Sequence, residues 1–66
     1  MNIGNSLKVA LIKKGISQTQ LAKQMGVHTQ WINKLANSET ASQGTIVSLA
    51  VALDMKTSEF VALGEE

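Results

Sequence analysis

Residues 17–35 read SQTQLAKQMGVHTQWINKL. Nearly all of this stretch suits one long helix, yet Gly26 stands in its middle. Ser17 and Gln20 form an S-x-x-Q capping box, each side chain bonding a backbone N–H at the other's position, so a helix starts here. Leu21, Ala22 and Met25 give that helix one apolar face. Val27, Ile32 and Leu35 follow at a spacing that packs a second helix back onto it. A tight turn between two steeply crossed helices often needs one residue with positive φ, which costs a residue bearing a Cβ roughly 1 kcal/mol or more. Glycine escapes that cost. Gly26 therefore breaks the rod into two crossed helices, and the small Ala22, four positions earlier, lets the second come close.

The remaining chain is short and helical. Its 66 residues make one domain, and a core of that size is marginal without disulfides, metal or oligomerisation. There is no cysteine, and the single histidine lacks acidic neighbours, so no metal site or cofactor is expected and an oligomer or very good helix packing must compensate. No apolar run approaches the roughly 18 residues of a membrane span, and the start lacks a signal peptide's early charge and longer apolar run. A cytoplasmic protein is expected. Helical spacing predicts a first helix over 4–14, with Ile3, Leu7, Ala10 and Leu11 inward and Gly15 as its stop. The second and third run from Ser17 to Gly26 and from about His28 to Ala36. A fourth follows in TIVSLAVAL, residues 45–53, apolar on most sides and so expected at the centre of the fold, with Asp54 ending it. A fifth spans about Thr57 to Leu63. The expected class is all-α.

Charge divides the chain. Residues 1–38 carry five lysines and no acid, whereas residues 39–66 carry Lys56 against five acids. A basic working face and an acidic back follow. With no arginine, phosphate binding would rest on lysine, amides and backbone N–H groups.

The segments ISQTQLAKQMGV, WINKLANS and LAVALDMKTSEF resemble the helix-turn-helix repressors and Cro proteins of lambdoid phages and their bacterial relatives. The likeness extends from Ile3 to Leu63. It implies a five-helix, lambda-repressor-like fold in a single domain, residues 1–66, with the helix-turn-helix at about 17–36 and operator DNA bound by a dimer. The absence of a second domain is closer to Cro than to a full repressor. Three departures stand out: Ser6 and Leu11 where many relatives carry arginine, Ala36-Asn37-Ser38 where Glu-Asn-Gly is common, and Asp54 for a common glycine.

Laying the third helix out at 100° per residue, with Ile32 and Leu35 inward, turns Thr29, Gln30, Asn33 and Lys34 outward. Such groups can read base edges: Gln or Asn at adenine, Lys at guanine, the Thr methyl at thymine. The resemblance assigns Gln18 and Asn37 to backbone phosphate, and Asn37 can equally end the helix in left-handed angles. Lys13, Lys14 and Lys23 are expected to add non-specific attraction to phosphate. His28 is open to a DNA contact or to a plain helix-start position, and Trp31 to DNA contact or to packing. Phe60, Val61 and Leu63 are candidate dimer contacts, though plain core is the favoured place for Phe60. The expected function is sequence-specific transcriptional regulation, a Cro-like repressor on a palindromic operator. The rival is a protein-interaction module of the same fold, an antitoxin or anti-repressor. Nothing in the chain suggests an enzyme: no paired carboxylates, nucleophile–base set or phosphate loop is present.

Overall fold

The computed structural model describes residues 2–65. Among these lie five α-helices and no strand: α1 Ile3–Lys14, α2 Gln18–Met25, α3 Thr29–Ala36, α4 Gln43–Ala52 and α5 Thr57–Leu63. The fold is the all-α, lambda-repressor-like one.

The corner between α2 and α3 forms as the sequence predicts. Ser17 Oγ accepts from the Gln20 N–H at 3.1 Å, and Gln20 Oε1 accepts from the Ser17 N–H at 2.8 Å. At the other end Gly26 takes φ +72°, and the Val27 N–H donates to the Ala22 carbonyl at 3.0 Å. This closure satisfies carbonyls that a helix end leaves open. Ala22 is buried, so α3 crosses close to it.

The centre of the molecule is α1, not α4 as its composition suggested. Ile3, Leu7, Ala10 and Leu11 are buried, and α1 packs against both α3 and α5. On α4, Ile46, Leu49 and Ala50 face the core, but Val51 is 71% exposed and Val47 41%. The helix is apolar all round without being buried all round. It also begins two residues earlier than its apolar run, because the Ser42 side chain accepts from the Thr45 N–H at 3.3 Å. An S-x-x-T pair lacks the Glu or Gln that marks a capping box. Asp54 follows α4 with φ +56°, as expected of the residue that ends it.

Phe60 is fully buried and Leu63 is 6% exposed. Both fill this chain's own core, which is the core alternative for Phe60 and corrects the assignment of Leu63 as a dimer contact. Val61 is half-buried. The α1 side chains also satisfy the end of α5: Ser6 Oγ donates to the Val61 carbonyl at 3.3 Å and Asn5 Nδ2 to that of Gly64 at 3.2 Å. Ser6 and Leu11, where relatives carry arginine, are thus core positions.

Helix α1 meets the end of α3 backbone to backbone. The N–H groups of Ile3 and Gly4 donate to the Glu39 and Ser38 carbonyls at 2.9 and 2.8 Å. A Cβ at Gly4 would sit 2.5 Å from the carbonyl oxygens of both Ala36 and Ser38. At Gly26, by contrast, a Cβ would meet nothing within 4 Å.

The two glycines therefore fail differently. Gly26→Ala is expected to cost about 1–2 kcal/mol in urea unfolding, from φ alone, and Gly26→Asn less. Gly4→Ala is expected to cost about 1–3 kcal/mol through backbone displacement, with Gly4→Asn worse because the larger side chain meets the same two carbonyls.

Candidate nucleic-acid interface

Helix α3 is eight residues long, so it spans about 12 Å, close to the width of the DNA major groove. Its inner side is Ile32, fully buried, and Ala36, with Leu35 half-buried. Thr29, Gln30, Asn33 and Lys34 are all exposed, so the outward arc laid out by angle is present on the surface. His28 is the residue before the first turn and makes no side-chain cap bond. It is exposed, and its carbonyl accepts from the Trp31 N–H of the turn that follows at 3.0 Å.

Gln18, at the first turn of α2, reaches this surface. Asn33 Nδ2 donates to Gln18 Oε1 at 3.4 Å. Asn37 in turn donates from Nδ2 to the Asn33 main-chain oxygen at 3.0 Å and to its Oδ1 at 3.4 Å. Gln18, Asn33 and Asn37 thus form one hydrogen-bonded line from α2 to the end of α3. Asn37 ends the helix with φ −103°, so it does so without left-handed angles.

The lysines do not all share this face. Lys34 is on α3 and Lys23 is exposed on α2. Lys13 and Lys14 instead line a hollow with Met55, Glu59 and Leu63, and Lys14 lines another with Asp54. They sit beside Glu59 and Asp54, acids of the C-terminal half. Lys8 was not singled out by the sequence reading, yet it lines a hollow with Asn37, Ser38 and Glu39. Nothing in the local sequence marks it; the contact of α1 with the end of α3 brings it there.

Trp31 is 36% exposed on the shoulder of α3 and borders a groove with Gln24, Met25, Val27, Ser48 and Val51. Gln24 closes one wall by donating from Nε2 to the Ala52 carbonyl at the end of α4.

The arrangement presents a short, polar, exposed helix on a tight corner. A family model described as helix-turn-helix matches residues 7–60. The chain belongs to the helix-turn-helix family. That family membership makes it a DNA-binding protein of the transcription-regulating kind. No curated protein matches the chain at a significant level. Among the described residues of this helix-turn-helix domain, no helix is long and apolar enough to cross a membrane.

Gln30 is exposed on α3, and its side chain makes no hydrogen bond within the described residues. Gln30→Ala is expected to weaken binding to a preferred duplex by roughly 1–3 kcal/mol in an anisotropy titration, with the urea midpoint unchanged.

Proposed function

We propose that this helix-turn-helix protein is a Cro-like repressor of phage or prophage type, binding a two-fold symmetric operator as a dimer. The observation that carries this reading is the exposed arc of Thr29, Gln30, Asn33 and Lys34 on a helix held rigidly at a corner. Its side chains are groups that read base edges, and the helix is short enough to lie within one groove. The molecule measures 25 × 20 × 18 Å, less than the roughly 34 Å between successive major grooves on one face. A single copy therefore addresses one half-site, and an operator with two needs a second copy. Dimer contacts would fall to exposed or half-exposed apolar residues such as Val61, given that Phe60 and Leu63 are enclosed.

Docking would divide between positioning and reading. Lys8, Lys23 and Gln18 face backbone phosphate and fix the register, while Gln30 and Lys34 meet base edges. Glu39, next to Lys8 in its hollow, opposes phosphate and trims affinity. Repression would follow from occupying DNA that polymerase or a competing regulator needs.

A protein partner is the second reading. It is favoured by the groove beside Trp31, whose wall includes exposed Val27 and Val51 and no charged side chain.

Selection of bound sequences from a random duplex pool separates the two. The expected result is an enriched inverted repeat with centres about 10 base pairs apart. An enriched single site without symmetry would reject the dimer, and no enrichment at low salt would reject the repressor.

A further inference from the structure

Three amides run along the exposed side of the α2–α3 pair, and their bonds dictate which way each one points. The starting point is the main-chain oxygen of Asn33, which can only accept. The Asn37 side-chain atom 3.0 Å from it must therefore be the nitrogen. That same nitrogen lies 3.4 Å from the Asn33 side chain, so the Asn33 atom facing it must be Oδ1. With Oδ1 turned to Asn37, Asn33 turns Nδ2 to Gln18. The Gln18 atom it meets at 3.4 Å must then be the acceptor, Oε1. Gln18 is left with Nε2, a donor, at the N-terminal turn of α2.

We propose that Asn33 is a positioning residue, relaying hydrogen-bond polarity from the α3 backbone to Gln18 so that Gln18 offers its N–H groups, not its carbonyl, to DNA phosphate. The inference rests on the DNA-binding reading of this surface and goes beyond it. A phosphate oxygen only accepts, so a Gln18 amide turned the other way would set two acceptors against each other. The relay uses one donor and one acceptor position of Asn33 within the domain, so Gln30 is the neighbouring amide with both ends open for bidentate contact with adenine. Asn37, its nitrogen turned to Asn33, serves the relay as its first link.

The test has one arm on DNA and one without it. The first uses a duplex selected from a random pool by the wild-type protein, together with its single-base-pair variants. Asn33→Ala is expected to weaken binding by about three- to tenfold, equally across those duplexes. In a Gln18→Ala background it should cost nothing more, because it acts through Gln18. Relaxed preference at one base pair, or losses that multiply in the double variant, would overturn the proposal. The second arm follows the Gln18 side-chain amide by NMR in the free protein. Asn37→Ala, two links away, should shift the Gln18 Nε2 resonances while the urea midpoint holds. An unmoved Gln18 signal would show that no relay exists. A wild-type protein that binds no duplex would instead sink the DNA reading, and the NMR arm would still judge the relay.

Discussion

The positive φ at Gly26 is the constraint from which the working surface follows. Left-handed geometry there ends α2, lets the Val27 N–H return to the Ala22 carbonyl, and sends α3 off across α2. Without the reversal, Ile32 and Leu35 would continue around the α2 helix and could not fold back onto Leu21. With it, the two apolar faces meet and the polar side of α3 stands away from the core. The space around Gly26 is open, so the position demands glycine for its backbone angles alone. That is why a single residue in the chain could announce the corner so clearly.

A corner fixes where a helix starts; something else must fix where it ends. In this domain the N-terminus of α1 does so. The first N–H groups of a helix lack partners within it, and here Ile3 and Gly4 give theirs to carbonyls just past α3. The partial positive end of α1 thus meets the partial negative end of α3. Gly4 permits the approach, since any side chain would strike the carbonyls of Ala36 and Ser38. Helix α3 is held at both ends by backbone, which leaves its outer side chains free of any structural duty except that of Asn33 and Asn37.

Features that depend on local chemistry were legible in the sequence. The capping box at Ser17, the turns at Gly15 and Gly26, the bounds of α5 and the inward stripes of α1 and α3 all follow from neighbours within four residues. Features that depend on packing between distant segments were not. Composition placed α4 at the centre because Val47 and Val51 broaden its apolar face, but nothing local says that α1 covers the core first and leaves those valines outside. Gly4 carried no signal either, because its need is a close approach to residues over thirty positions away. Lys13 and Lys14 read as part of a basic half-chain, yet the fold carries them to Glu59 and Asp54. Charge segregated along a sequence is not charge segregated in space.

That redistribution bears on how such a domain discriminates. Net charge is only +1, and with Lys13 and Lys14 placed beside acids, few cations remain on the α3 side. Attraction to phosphate regardless of sequence scales with the number of charges neutralised. A surface built mainly of amides and hydroxyls therefore gains little from non-specific attraction and must rely more on directed hydrogen bonds. Amides are neutral and two-ended, so turning one by 180° converts a donor into an acceptor. A guanidinium is insensitive to such error because every edge donates. In this chain, which has no arginine, the orientation of each amide carries information that charge would otherwise supply. A main-chain carbonyl is a suitable reference for that orientation, since the helix it belongs to cannot reverse it.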